Sequence, residues 1–334
     1  MAITRGSGTT TDPYILTCWK DLYLISSYRN NYFKFIDNYF EDLSETYTSG
    51  EVPEVNLVNV NYGVTAASEI DFNGATFING RLNGFKIKTF TSGDISSITI
   101  NLKNLNMFNC IDTGTHGGFI HGSEPYDTDS TVYMVLSLHR CNLEIEGENR
   151  KSILIHKNKR HLASAPGLSM DCCKITLKGM ETLGESIIMN DCIINYDNVL
   201  LDSTTQMNYT SDGSVHSKTV AAPIFPDNNI TLSGNKVNVP FVKNSIFTGS
   251  VRTNGDAETA LFFYAYDNVI IDVKCDNIVF RNANAAIAVS KATNILKIEN
   301  HATIAENSIH IATPEDITNR EKLYEWGFSI RPVV

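Results

Sequence analysis

The sequence predicts an all-β chain wound as a right-handed parallel β-helix, a solenoid closed at each end by a short helical cap. Three observations predict it. Runs of three to seven residues with alternating apolar positions recur from about residue 69 to 311. Asn, Asp and Gly sit between those runs, where they tolerate left-handed backbone and bond their own main chain. Helical signals are confined to the two ends. The expected division is 1–68 as an N-terminal cap with the first strands, 69–312 as the β-helix, and 313–334 as a helical C-terminal cap.

The strand series opens with Ile70 to Phe77, Phe85 to Phe90 and Ile98 to Leu102. It continues through Tyr133 to Leu138, Leu143 to Ile145, Ile175 to Leu177 and Ile193 to Tyr196. Val269 to Val273, Ile278 to Phe280 and Ile295 to Ile298 complete it. Within this region one pattern recurs: an apolar residue, two polar ones, a small residue or Asn, a spacer, then apolar. Leu138 to Ile145, Met170 to Leu177 and Met189 to Tyr196 fit it, with Cys141, Cys173 and Cys192 at the fourth position. Val242 to Phe247 and Ala265 to Ile270 are looser copies, with Ser245 and Asn268 there. The intervals of 32, 19, 53 and 23 residues suit coils of roughly 20 to 30 residues, the 53 spanning two coils. Small residues at one fixed place suit a tight bend, stacked about 4.8 Å from its neighbour. Such Cys are expected to be buried small hydrophobes rather than metal ligands.

At the ends, Thr17 to Ser27 reads as a short helix with Thr17 as N-cap. Thr313-Pro314-Glu315-Asp316 and Thr318-Asn319-Arg320-Glu321 read as capping boxes, with Gly327 as a stop after Trp326. Terminal helices would shield the open strand edges. Asp112 to Thr131 and Ser203 to Asn229 are rich in Gly, Pro and polar residues, and read as long projecting loops.

Composition narrows the function classes. The formal charge is −10, from 27 Lys and Arg against 37 Asp and Glu. That balance argues against sequence-independent nucleic-acid binding and against docking on anionic lipid. Only 19% of residues are charged, while 90 of the 334 are Asn, Ser or Thr, so the outer surface is neutral and polar. The seven Cys (18, 110, 141, 172, 173, 192 and 275) are odd in number and form no CxxC pair, which supports neither a disulfide framework nor a zinc site. Met1 to Thr11 lacks a hydrophobic core segment, so no secretory signal is expected, and no apolar run reaches 18 residues. Without export, the sequons Asn208-Tyr209-Thr210 and Asn229-Ile230-Thr231 are idle.

Gly6-Ser7-Gly8-Thr9 with Asp12-Pro13-Tyr14, the helix at Thr17, and the ending Leu323-Tyr324 with Trp326-Gly327-Phe328 resemble the termini of right-handed parallel β-helix proteins of bacteriophage virions. The Asn-rich coils between them are similar to tailspike, fibre and capsid-decoration β-helices. The resemblance implies a virion protein made in the host bacterial cytoplasm, commonly a homotrimer, that partners itself and other virion proteins. It also implies a host surface glycan as receptor or as substrate of a polysaccharide depolymerase. A bacterial β-helix surface protein is the remaining class.

No nucleotide-binding, metalloprotease, serine-hydrolase or kinase signature is present, so no catalytic residue, cofactor or metal ligand is assigned, and no binding residue can be named. The best local acid cluster is Glu124, Asp127 and Asp129 with His116 and His121; a solvated acidic turn is the preferred reading, and no acid or base is assigned to it. Lys151, Lys157, Lys159 and Arg160 with His156 and His161 form a basic run suited to a coil edge or an acidic neighbouring subunit. Tyr28, Tyr32, Phe33, Phe35 and Phe262, Phe263, Tyr264, Tyr266 are two aromatic groups that could stack on sugars but better fill coil interiors or a subunit contact. Leu261 to Tyr266 and the Ser203 to Asn229 loop are the expected sources of self-association.

Overall fold

The computed structural model describes residues 3–28, 32–44, 55–56, 66–82, 85–87, 97–112, 118–122, 133–147, 152–155, 168–178, 184–185, 187–202, 206–211, 214–219, 224–225, 237–254, 260–265, 271–281, 286–290, 296–300 and 309–312. They are mostly strand, with one 3₁₀ helix at Trp19–Ser27. The expected C-terminal capping boxes lie outside them. The chain forms two compact units, Met1–Arg160 and His161–Val334.

In the first unit the strands fall into three parallel ladders. The first takes Tyr14–Leu16, Tyr32–Phe35, Ala66–Asp71, Ser97–Lys103 and Tyr133–His139. The second takes Phe40–Asp42, Thr76–Ile78, Asn106–Asp112 and Asn142–Gly147. Val55–Asn56, Phe85–Ile87, Gly118–Gly122 and Ser152–Ile155 make the third. Gly118–Gly122 lies inside the stretch expected to be loop. Its apolar Phe119-Ile120 pair was too short to register as a strand by periodicity alone.

Register stacks like on like. Phe33, Ile70, Leu102 and Leu138 form one buried column, and Ser68, Ile100 and Leu136 another. The alternate residues face out: Lys34, Asp71, Lys103 and His139 make a polar column, with Lys103 Nζ 2.7 Å from Glu69 Oε2. This half-exposed ion pair contributes little to stability. The interior draws on apolar burial, about 25 cal/mol per Å².

Between the first and second ladders the chain bends through a left-handed residue followed by an inward one. Asn104 has φ +55° and precedes buried Leu105; Arg140 has φ +52° and precedes buried Cys141. Asn tolerates this conformation better than most residues because its short polar side chain bonds locally. Bends bond to bends: Asn104 N–H donates to His139 O at 2.9 Å, and Asn142 N–H to Leu105 O at 2.8 Å. The preceding rung takes four residues, Phe72 to Ala75, to make the same turn, and does so with Asn73 (φ +52°) and Gly74 (φ +82°). Asn109 (φ +51°) marks a bulge where Met107 to Cys110 spans three steps against two from Leu143 to Ile145.

The N-terminal end is an aromatic plug. Phe35 stacks on Phe72 with ring centroids 5.2 Å apart, and Phe77 meets Phe35 edge-on at 5.5 Å. The 3₁₀ helix buries Trp19, Leu22 and Ile25 and sets the Trp19 indole edge-on to Phe77 at 4.8 Å. Its N-cap is Cys18, not Thr17. The reason is Asp21, whose carboxylate accepts the Thr17 amide at 2.6 Å, the Thr17 hydroxyl at 2.9 Å and the Cys18 amide at 3.2 Å, closing the turn one residue later. Ahead of it, Gly6 has φ +89° and lies so close to Pro13 that a Cβ there would sit 2.0 Å from the Pro13 carbonyl oxygen.

The second unit also has three parallel ladders. Leu168–Asp171 pairs with Ile187–Asn190, and Lys174–Lys178 with Ile193–Asp202, each at an offset of 19 residues. Both later strands pair with one long strand, Val237–Asn254, which pairs with Ile271–Arg281. Leu296–Asn300 and Ile309–Ala312 follow. The third ladder runs Gly184–Glu185, Ile224–Phe225, Ala260–Ala265 and Ala286–Ser290.

Three sequence expectations change here. The 53-residue interval is one step of the ladder, since Met189 pairs directly with Val242. The extra length includes an antiparallel hairpin, Gln206–Ser211 with Ser214–Thr219, inside the segment expected to be loop; its predominantly polar sequence reads as coil. Ala265 does not begin a copy of the Val242 pattern: it ends a third-ladder strand, and the partner of Val242 is Cys275.

Two outcomes follow for substitutions in the first unit. Phe77→Ala removes the ring that joins Phe35, Phe72 and Trp19, and should lower stability by about 3–5 kcal/mol in urea unfolding. Asn104→Ala should cost about 1–2 kcal/mol because it strains a left-handed residue, and Asn104→Gly should cost less than Asn104→Ala.

Candidate functional site

The bends concentrate the described polar side chains. Four bend cysteines point inward and donate to nearby carbonyls: Cys110 Sγ to Phe108 O at 3.5 Å, Cys141 Sγ to Leu102 O at 3.4 Å, Cys173 Sγ to Asp171 O at 3.3 Å and Cys192 Sγ to Asn190 O at 3.1 Å. All four are buried, which the pattern of small fourth-position residues predicts for Cys141, Cys173 and Cys192. A thiol fits because it fills little space yet offers a weak donor to a strand-end carbonyl. Ser245, fully buried on the next rung, accepts the Cys192 amide at 3.3 Å. The six cysteines with described side chains carry free thiols.

On the outward side of the bends, Asn and Asp form ladders across rungs. Asn104 Nδ2 donates to Asp71 Oδ1 at 2.8 Å, and Asn109 Nδ2 to Asn79 Oδ1 at 2.7 Å. Asn79 Nδ2 in turn reaches both Asp42 oxygens at 3.2 Å. Asn73 Nδ2 donates to Asp37. The Asp42 carboxyl is held below its ordinary value by the Ser44 amide and hydroxyl and by Asn79.

The densest convergence is in the second unit. The 19-residue offset sets Asp171 beside Asn190 and Cys172 beside Asp191, both bend residues at φ +54° and +52°. Oxygens of Asp171 and Asp191 and the Cys172 sulfur lie within 4.8 Å of one another. Two hard oxygens and one soft sulfur could hold a divalent cation. Asn190 Nδ2 already donates to Asp171 at 2.8 Å and to Asp191 at 3.1 Å, the same Asn-to-Asp bridge as in the first unit. The cluster is thus first of all a link of the ladder.

The other sequence candidates divide clearly. Phe33 and Phe35 are interior residues, and Tyr28 packs on Tyr14 with ring centroids 4.6 Å apart. His121 lies on a third-ladder strand opposite Lys86 and Ile155, and Phe262 to Tyr264 on another. Glu124, Asp127, Asp129, His116, Tyr266, His156, His161, Lys151, Lys157, Lys159 and Arg160 lie outside the described residues. The Asp171, Cys172 and Asp191 grouping was missed because it joins residues 20 apart that only the register brings together; the pairs Asp171-Cys172 and Asn190-Asp191 at equal places in two repeats were the available signal. Among the described residues, no helix is long and apolar enough to cross a membrane.

No family model, no curated protein and no solved structure matches this chain.

Burial raises the Cys110 thiol to about 11, so its neutral form is favoured by folding. That contribution is full below the ordinary value of 9.0 and is lost as pH rises through 11. In acid the sign reverses at Asp42: its contribution is present above the ordinary carboxylate range and is lost as pH falls below about 4. A thiol reagent at mildly alkaline pH should therefore label Cys172 ahead of Cys110, Cys141, Cys173 and Cys192, which become reactive only on unfolding; peptide mapping reads the order.

Proposed function

We propose that the parallel ladders wind as a right-handed β-helix and that the chain is a non-enzymatic structural or adhesion subunit of a bacteriophage particle, in the tail, a fibre or a head appendage. The observation that carries this reading is the ladder itself: in-register parallel rungs whose outer columns are built from Asn, Thr, Ser and paired charges. Stacked rungs of this kind make a stiff scaffold with a polar, weakly charged side, and few charges stand against lateral contact with another subunit. The terminal motifs resembling phage β-helix proteins point the same way.

Self-association follows from the same surface. Closed cyclic symmetry would bury lateral faces without building an endless fibre, and a homotrimer is the proposed state, with attachment to other virion proteins and contact with a host surface glycan. Light scattering should give a species three times the 37.1 kDa chain mass; a monomer that also fails to co-purify with particles removes the virion reading. The competing enzyme reading is a tailspike-like depolymerase, a glycoside hydrolase or polysaccharide lyase. Pure protein incubated with host capsular polysaccharide should release no new reducing ends or unsaturated sugars. Release abolished by Glu124→Ala or Asp127→Ala would replace the structural reading with the enzymatic one.

A further inference from the structure

Two of the left-handed bends are Asn-Gly dipeptides, Asn73-Gly74 and Asn79-Gly80. This pair is the one most prone to deamidation, because glycine has no Cβ to hinder its nitrogen. The glycine amide nitrogen attacks the asparagine Cγ and a carbon–nitrogen bond forms. The side-chain nitrogen leaves as ammonia with the displaced proton. Water then opens the cyclic imide at either carbonyl, giving aspartate or isoaspartate. Isoaspartate adds a main-chain methylene, which would shift the register of every residue beyond it.

At both sites the reacting carboxamide is tied down. Asn79 gives its Nδ2 hydrogens to Asp42 Oδ1 and Oδ2, both at 3.2 Å, and its Oδ1 accepts from Asn109 Nδ2 at 2.7 Å. Its own amide donates to Phe108 O at 3.1 Å, and the Gly80 carbonyl accepts from Ile111 at 2.7 Å. Asn73 Nδ2 donates to Asp37 and, at 3.3 Å, to Phe35 O. Its nucleophile is engaged as well, since Gly74 N–H donates to Asn104 O at 3.0 Å. Each carboxamide is thus drawn along the stacking direction to a neighbouring rung, and turning it to face the following nitrogen breaks bonds to a charged partner, the stronger kind.

We infer that the Asn–Asp ladders protect these two bonds chemically, and that Asp42 and Asp37 are the residues that hold Asn79 and Asn73 unreactive in the folded chain. Loss of ammonia at Asn79 would also set a new carboxylate against Asp42, so the product is disfavoured by like charge.

Peptide mapping by mass spectrometry, reading the one-dalton gain and the isoaspartate product, tests this on the full chain held folded or in urea. Asn73 and Asn79 should convert on the order of tenfold more slowly in the folded chain than in the unfolded one, the factor expected from losing a charge-assisted hydrogen bond. Asp42→Ala should speed Asn79 severalfold and leave Asn73 unchanged, while Asp37→Ala should do the reverse. Equal rates in folded and unfolded chains overturn the inference. So does release of both sites together, or of neither, in the two variants, because protection would then come from the fold at large.

Discussion

The described ladders depend on turning the chain at matching places on successive rungs. Parallel strands in register cannot close with a two-residue hairpin, so each rung must leave one ladder and enter the next through a bend that repeats above and below. The bend adopted here puts one residue in the left-handed region and the next into the interior. Asn79, Asn104, Asn109, Arg140, Cys172 and Asp191 occupy the first place, and Gly80, Leu105, Cys110, Cys141, Cys173 and Cys192 the second, all buried. Asn73 reaches buried Ala75 through the left-handed Gly74, and Asn38 is followed by the half-buried Tyr39. Asparagine answers the first demand twice over. It accepts positive φ, and its carboxamide reaches the aspartate or asparagine on the next rung.

That repetition sets what the two faces of each strand can be. Interior columns are mainly apolar, because a misfit side chain would be felt by the rungs on both sides, and the polar exceptions are small, Ser68 and Ser245. Phe33, Ile70, Leu102 and Leu138 show the columns narrowing from aromatic to aliphatic as they leave the N-terminal plug. Outer columns are free of that demand and carry polar residues in succession. The plug itself answers a different problem. Among the described residues no strand precedes Tyr14–Leu16, and the 3₁₀ helix after it buries Trp19, held by its amide to Glu41 at 2.8 Å and by its indole to Tyr23 at 2.9 Å. Tyr39 also donates to Glu41, at 3.0 Å, and burial with that acceptor raises its phenol far above the ordinary value.

Much of this was legible in the sequence, and the limits have physical causes. Parallel all-β organisation followed from short alternating runs separated by Asn, Asp and Gly, and the Cys173 and Cys192 repeat gave the 19-residue step. Val242 and Ser245 belong to the same pattern as Met189 and Cys192, but the spacing placed an extra coil between them where the register makes them direct neighbours, because sequence spacing cannot distinguish a second coil from an inserted hairpin. Ala265 to Ile270 mimicked the bend pattern through Asp267 and Asn268; turn chemistry is common to all bends, and only pairing tells which ladder a strand has joined. The capping residue shifted from Thr17 to Cys18 because Asp21 is the true organiser, an acceptor three and four residues downstream. The Asp171, Cys172 and Asp191 convergence appears only when the 19-residue step is applied to the Asp171-Cys172 and Asn190-Asp191 pairs, a comparison between two repeats that neither segment shows by itself.

The central claim is that bends on neighbouring rungs hold one another through asparagine. The most direct measurement is a double-mutant cycle in urea on Asp71 and Asn104, 33 residues apart, joined by one 2.8 Å hydrogen bond. Asp71→Ala, Asn104→Gly and the double variant isolate the pair, since Gly keeps the left-handed backbone while removing the carboxamide. The account predicts a coupling of about 1 kcal/mol. Additivity of the two single changes to within about 0.3 kcal/mol would contradict it.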